Sequence, residues 1–407
     1  MTRKIFIVCG EHSGDALGSK LIDALRAISA EPLEFSGVGG ELMAERGFES
    51  IFPLADVAVM GILSILPKLP RITRRVYQVV DAALEANPDI VVIIDSPEFT
   101  HPIAKRIRKR RPDIPIIDYV SPTVWAWRPG RAQKMKPYVD HLLALLPFEP
   151  EAHQRLGGPA CTYVGHPLIE RVDWIRSLDS QALAERLGLD AAATPVLVLP
   201  GSRSSEVERL LDVFGETIVN LSRERKLEVL IPAVPHLRDV ILARTADWQV
   251  AVHVLDGETD KFTAFRLARA ALAASGTVTL ELAISGTPMV VAYRVDRVTA
   301  LLGFLIQVPS IVLANLVLGE NAFPEFVQEN CSAENLSQAM AEILDDGPAR
   351  NAQLAALDKI ADRLILPSGT PSEKAARIVL EHMSANDDSV GHTTMGHATV
   401  PAPSSTA

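Results

Sequence analysis

Two α/β domains of the doubly wound, Rossmann-like kind, in tandem with a cleft between them, are what the sequence predicts. Apolar strand-like runs alternate with amphipathic helical patterns along most of the chain, the rhythm of parallel sheets. Several runs, D-I-V-V-I-I-D at 89–95 foremost, are apolar at every position, as a strand covered on both faces requires. The series also occurs twice, with a charged helical stretch from Leu168 to Leu189 between the two halves. At 407 residues the chain is long enough for two cores. The boundaries expected are 1–167 for the first domain, 168–383 for the second and 384–407 for a tail.

In order, Ile5–Val8 reads as a strand and Gly10–Asp15 as a tight turn bounded by glycines. Ala16–Ala27 follows as an amphipathic helix carrying Leu17, Leu21 and Leu25 on one face. Leu33–Val38, Asp89–Asp95, Ile114–Tyr119, His141–Leu146 and Cys161–Val164 continue the strands of the first half. In the second half Pro195–Leu199, Leu227–Ile231 and Val250–Leu255 are strands, and Gly201–Glu206 is a turn that opens a helix. The stretch 270–293 is one complete strand–helix–strand unit, broken at Ser275-Gly276 and again at Ser285–Pro288. From Ser384 onward Ser, Thr, His and Pro replace any apolar pattern, which predicts disorder.

Composition removes several classes. A net charge of −10 argues against a nucleic-acid binder. Three scattered cysteines, Cys9, Cys161 and Cys331, give neither a disulfide framework nor metal-ligand spacing, and fit a reducing cytoplasm. Met1-Thr2-Arg3-Lys4 runs straight into a strand, unlike a secretory leader. Ala300–Gly319 has the length of a membrane span, but Gln307, Pro309, Ser310 and Asn315 interrupt it. It reads as a short buried helix followed by an extended segment. There is no P-loop, no H-E-x-x-H, no G-x-S-x-G elbow, and the glycines at 37, 39 and 40 lack the third glycine of a dinucleotide fingerprint.

The loops carry the candidate chemistry. Ser275, Gly276 and Thr277 stand where the free N–H groups of a helix start point outward, which suits an anion. Glu281 on the next turn offers a carboxylate to a ribose diol; a plainly capped helix with a solvated Glu is the alternative. In L-P-G-S-R at 199–203, Arg203 presents a planar fork to a diphosphate, or else pairs with Glu206 or Glu208 on its own helix. Asp95 closes an apolar strand at the cleft edge and suits a general base, or else caps the following helix. Asp15 is ambiguous in the same way, and His12, His101 and His166 read as packed or capping. The apolar run Asp56–Leu69 precedes Arg71, Arg74 and Arg75, and the basic run Lys105–Arg111 lies beyond. That combination fits docking on an anionic membrane, with burial against the first core as the alternative. Trp125 and Trp127 serve either reading.

Together these stretches resemble lipid-A-disaccharide synthases, glycosyltransferase family 19, from about Ile5 to Met383. The resemblance rests on G-E-H-S-G-D at 10–15, A-V-M-G-I at 58–62, I-D-S-P-E-F at 94–99 and Y-V-S-P-T-V-W-A-W-R at 119–128. It continues in L-P-G-S-R-S-S-E-V at 199–207, A-S-G-T-V-T-L-E at 274–281 and N-L-V-L-G-E at 315–320. Glu98 stands where the family usually has Asp. The resemblance implies a GT-B fold and an inverting enzyme that joins UDP-2,3-diacylglucosamine to 2,3-diacylglucosamine 1-phosphate (lipid X) through a β-1,6 bond, releasing UDP. It implies no cofactor and no metal, a place on the cytoplasmic face of the inner membrane of Gram-negative bacteria, and homodimers that exchange C-terminal elements. On this basis Asp95 is the expected base. Ser13, Asp15, Arg203, Ser275, Gly276, Thr277, Glu281, Asn315 and Glu320 are expected to bind substrate, and Val59, Met60, Ile62, Leu63 and Leu66 to contact the membrane. A UDP-N-acetylglucosamine 2-epimerase on the same fold and a non-catalytic nucleotide-sugar or lipid-binding protein stay open as rivals.

Overall fold

The computed structural model describes residues 2–58, 69–295 and 309–393. β1 (Arg3–Cys9), β2 (Leu33–Val38), β3 (Ile90–Ile94), β4 (Ile116–Tyr119), β5 (His141–Ala144) and β6 (Ala160–Tyr163) form one sheet in the order β2-β1-β3-β4-β5-β6. β7 (Thr194–Leu199), β8 (Leu227–Pro232), β9 (Ala251–Leu255), β10 (Ala270–Ala274), β11 (Met289–Tyr293) and β12 (Glu325–Val327) form the other, in the order β12-β11-β10-β7-β8-β9. Every pairing in both sheets is parallel. The fold is the expected pair of α/β lobes.

The apolar runs explain why. All five residues of β3 and all five of β10 are buried, so neither strand has a wet face. In the second sheet Leu197, Leu199, Ala271 and Ala273 pack on one side while Val196, Val198, Ala270 and Leu272 pack on the other. Helices therefore cover both faces, as parallel strands require.

Strand order fixes where a ligand can sit. The direction in which successive strands are added across the sheet reverses between β1 and β3 in the first sheet and between β7 and β10 in the second. At such a switch point the crossovers diverge and leave a crevice at the carboxyl ends of the two strands. The blocks at 10–15 and 94–99 leave β1 and β3, and those at 199–207 and 274–281 leave β7 and β10. Four of the sequence motifs thus stand in pairs, one pair at each switch point.

Three expectations need revising. The helix after β1 begins at His12 and runs to Ile28, so Ser13, Gly14 and Asp15 belong to its first turn and not to a loop. In the second part of the 300–319 stretch, expected to be extended, a short helix forms at Leu313–Leu318; residues 300–308 lie outside the described ones. The last helix, Pro371–Thr393, continues past Ser384, where disorder was predicted. Its stripe of Ala375, Ala376, Val379 and Met383 joins the core of the first sheet, although the sequence assigns it to the second domain. The stripe is apolar at helical spacing and finds its match on the helix His12–Ile28.

The lobes are joined twice at the same place. The chain leaves β6 through Gly165 (φ +100°), and returns after the helix Pro348–Leu364. Tyr163 Oη donates to the Leu364 carbonyl at 2.8 Å. Glu170 pairs with Lys20 of the first lobe and accepts from Ser372 Oγ at 2.7 Å.

Candidate active site

Asp95 follows β3 in the left-handed region (φ +56°), and Ser96 adopts it too (φ +46°). Two consecutive non-glycine residues there are a strained corner, of the kind that surrounding structure must hold. The holding groups are visible. Asp95 N–H donates to the Tyr119 carbonyl at 3.0 Å, and Thr100 Oγ1 donates to the Asp95 carbonyl at 2.8 Å. The side chain accepts from Ser96 N–H at 2.7 Å on one oxygen and from Ser13 Oγ at 3.1 Å on the other. Gly10 lies so close that a Cβ there would meet the Ser96 Cβ at 2.5 Å. Ser13 and Asp95 are therefore brought together from two motifs 82 residues apart. Ser96 Oγ is buried and has no partner among the described residues.

Asp15 does different work. It is 3% exposed, and its carboxylate accepts from the N–H groups of Gly40, Leu42 and Met43 at 2.8, 2.9 and 3.1 Å. Those are the free donors at the start of the short helix Glu41–Ala44. Asp15 is a remote helix cap, and its oxygens are taken by backbone rather than held out for a substrate.

At the second switch point Arg203 makes the pairing foreseen as its alternative. Its Nη1 donates to Glu206 Oε1 at 2.7 Å, while its side chain remains 63% exposed. Glu206 is buried, and its other oxygen accepts from the N–H groups of Ser202 and Arg203 at 3.1 and 3.2 Å. Gly201 (φ +114°) packs where a side chain would strike that carboxylate. Glu206 thus fixes the loop, and Arg203 keeps donors facing solvent.

The neighbouring loop is built for backbone approach. Gly276 (φ +149°) has open space where a Cβ would be. The helix Val278–Ser285 starts directly after, so the N–H groups of Gly276–Val278 have no intrahelical acceptor. Ser275 Oγ is committed, donating to the Ile311 carbonyl at 2.7 Å. Glu281 pairs with Lys261 at 2.6 Å. Asn315 is 2% exposed, and its amide bonds Ser310 Oγ and both the N–H and the carbonyl of Phe323. It staples the 310–323 segment that supports Ser275 and offers nothing free to a ligand. Glu320 is exposed, 3.3 Å from Lys359 Nζ.

Around this site the 119–128 block joins the lobes. Trp125 and Phe148, edge to face at 5.1 Å, pack against the core of the second sheet. Trp125 Nε1 donates to Glu149 at 3.1 Å, and burial pushes the Glu149 carboxyl up to about 7. Trp125 is thus a contact between lobes; Trp127 is 43% exposed, with the Arg128 guanidinium stacked 4.0 Å over its ring. Burial holds His166 down at about 4, and its Nδ1 accepts from Leu168 N–H, a capping role. Val59, Met60, Ile62, Leu63 and Leu66 lie outside the described residues. Of the cations after them, Arg71 and Arg75 both pair with Asp56, and Arg74 is exposed. Among the described residues no three His, Cys, Asp or Glu side chains converge as metal ligands.

Sequence reasoning missed a cavity of about 500 Å³ beside Glu98. Glu98 pairs with Arg131 and lies 3.7 Å from Arg128, and the Arg131 bond holds its carboxyl below the usual range. Pro97, His101 and Lys105, at four-residue spacing on one helix, line the same space; that spacing was the signal available.

A family model described as lipid-A-disaccharide synthetase matches residues 5–379. The lipid-A-disaccharide synthase of Nitrobacter hamburgensis is 51% identical over 387 residues, 95% of this chain and 97% of that protein. That of Rhodopseudomonas palustris is 50% identical over 93% of this chain and 96% of its own length. Among solved structures, a UDP-GlcNAc 2-epimerase from Neisseria meningitidis bound to UDP-GlcNAc superposes with a TM-score of 0.56 at 11% identity, covering 94% of this chain and all of that one. MurG of Acinetobacter baumannii gives 0.58 at 12% identity, covering 93% and 99%. At such identities the structural matches speak for the fold alone.

Proposed function

We propose, from the premise that this chain belongs to the lipid-A-disaccharide synthase family, a residue-level account of how it forms the lipid A disaccharide. The donor is UDP-2,3-diacylglucosamine and the acceptor is lipid X, whose 6-hydroxyl attacks the anomeric carbon. An α-linked donor and a β product need only one in-line displacement. Asp95 takes the hydroxyl proton as attack proceeds, and Ser13 Oγ and Ser96 N–H aim its carboxylate. The supporting observation is the strained corner at Asp95 and Ser96, held from four sides at the mouth of a switch-point crevice.

The leaving UDP gathers negative charge on its diphosphate. Free N–H groups at 276–278 meet that charge, and Arg203 exchanges part of its Glu206 pairing for the phosphates. Glu281 turns from Lys261 to the ribose, and Asn315 acts indirectly by keeping the 310–323 segment under Ser275. Glu320 is exposed for the donor. Both substrates carry acyl chains, so the protein works peripherally on the cytoplasmic face of the inner membrane, with residues 59–66 as the docking segment and the exposed Leu69, Arg74 and Tyr77 following in the sequence. Homodimers exchanging C-terminal elements belong to the same reading. Among the described residues no helix is long and apolar enough to cross a membrane.

The epimerase reading draws only on fold, whereas relatives half identical over almost the full chain carry the synthase name. The test is incubation with UDP-2,3-diacylglucosamine and lipid X, with products read by mass spectrometry. A β-1,6 disaccharide phosphate with one UDP per bond is expected. Turnover of UDP-N-acetylglucosamine alone, or binding of both lipids without a product, would reverse the assignment.

A further inference from the structure

We infer that the cavity between the helices Pro97–Arg110 and Gly130–Met135 is the seat of the acceptor's phosphate monoester, an assignment that rests on the function proposed above. Four cations line it, Lys105, Arg128, Arg131 and Lys134, against the single carboxylate of Glu98. With Glu98 ionised the lining carries a net charge of three plus, enough to receive a phosphate dianion.

The cations are not merely surface charge. In the basic run 105–111 the arginines are committed elsewhere: Arg106 to the Pro102 carbonyl, Arg108 to Asp140, Arg110 to Asp81 and Arg111 to Asp113. Lys105 differs. Its Nζ lies 4.9 Å over the Tyr138 ring, within the cavity, and among the described residues it has no carboxylate partner. Lys134 is likewise unpaired among the described residues and reaches the same space from the facing helix. Arg128 is held in the left-handed region (φ +55°) with its guanidinium stacked on Trp127, and Arg131 is fixed by Glu98. Two positioned arginine forks and two unpaired lysines face one cavity.

Its floor is polar and buried. His101 bonds Asp118 through Nε2 and the Tyr138 hydroxyl through Nδ1, each at 3.1 Å. Burial raises the Asp118 carboxyl above its ordinary value and pushes Tyr138 up to about 12, so Tyr138 keeps its proton. Glu98 is three residues beyond Asp95, on the first turn of the helix Pro97–Arg110. A sugar whose phosphate enters here would therefore present its ring near the proposed base. The occupant is a phosphate monoester on the acceptor rather than a phosphodiester headgroup of the bilayer, because the four cations converge from two facing elements on one half-open cleft instead of spreading over a flat face.

The double variant Lys105→Ala/Lys134→Ala, assayed in neutral detergent micelles, tests this. KM for lipid X should rise about 10–100-fold, the worth of two charge-assisted contacts. KM for UDP-2,3-diacylglucosamine and the affinity for UDP should stay at wild-type values, which also shows that the variant is folded. With the phosphate-free 2,3-diacylglucosamine as acceptor, variant and wild type should converge. An unchanged KM for lipid X, or an equal rise for the phosphate-free acceptor, overturns the assignment. So does a rise seen only when phosphatidylglycerol is added to the micelles, since that would mark a bilayer-headgroup contact. A wild-type protein that makes no disaccharide from either acceptor would instead sink the proposed function, and this inference with it.

Discussion

Replacing Asp15 by Ala separates a structural cap from a substrate ligand. The carboxylate is 3% exposed and accepts three backbone N–H groups at 2.8–3.1 Å. A single helix cap is worth about 1 kcal/mol, and bonds to a charged acceptor run higher. Three such bonds lost together, with their donors left in a space closed to most water, cost about 3–4 kcal/mol. Asp15→Asn keeps one acceptor oxygen but turns an NH2 toward one of the donors, so about half that loss is expected. Denaturant unfolding read by circular dichroism measures it, with the midpoint shifted and the slope unchanged. UDP affinity, which the proposal places in the other lobe, should not move in the folded variant. A loss of stability below about 0.5 kcal/mol combined with a raised KM for lipid X would refute the capping argument and return Asp15 to the substrate.

Asp95→Asn should cut turnover about 10²–10⁴-fold and leave UDP affinity by calorimetry intact; near wild-type turnover removes it as base. Arg203→Ala should weaken UDP binding about tenfold, since its exposed donors are those a diphosphate would meet; an unchanged affinity leaves it only its bond to Glu206. Glu149 bears on pH. Its folded carboxyl titrates at about 7 against an ordinary 4.5, so between these values the unfolded chain loses a proton that the native protein keeps. That contribution to stability is whole below pH 4.5 and falls away as pH rises to 7. Glu149→Gln should therefore gain on the wild type by roughly 1.4 kcal/mol per pH unit across the window, about 3 kcal/mol in all. Parallel stability–pH curves for the two proteins would contradict it. Burial holds His153 and His166 down at about 4, which acts in the opposite sense: stability is whole above pH 6.5 and drops toward pH 4. His153→Gln should flatten that acid limb in urea titrations, and an undiminished slope would count against it.

The strands other than β12 were legible to within two residues because burial leaves a strong signature: I-V-V-I-I admits little else; β12, three half-buried residues, was not anticipated. The helix start at His12 was not. G-E-H-S-G-D reads as a turn because of its glycines, yet Gly14 is inside a helix, where a Cβ would stand 2.9 Å from the Cys9 Cβ. That glycine answers close packing, not chain reversal. Polar motif residues were harder still. Asp15 and Asn315 look like ligands in a linear motif, but their partners are backbone groups 25–28 and 8 residues away, which no local pattern reveals. Ser13 and Asp95 were chosen separately and turn out to touch, because strand order sets β1 beside β3. The final helix was misassigned for a like reason: its apolar stripe was visible, but not the surface more than 340 residues earlier that receives it.

That docking has a consequence for biogenesis. The helix against which Ala375, Ala376, Val379 and Met383 close leaves the ribosome more than 340 residues before its cover. Throughout translation of the intervening lobe, the leading half exposes the greasy strip that the final helix later covers. Synthesis of the helix from Pro371, rather than of the first sheet, is what covers that strip. A late frameshift or nonsense codon would thus leave the amino-terminal portion open to chaperones and proteases, even though every residue of its sheet had been made.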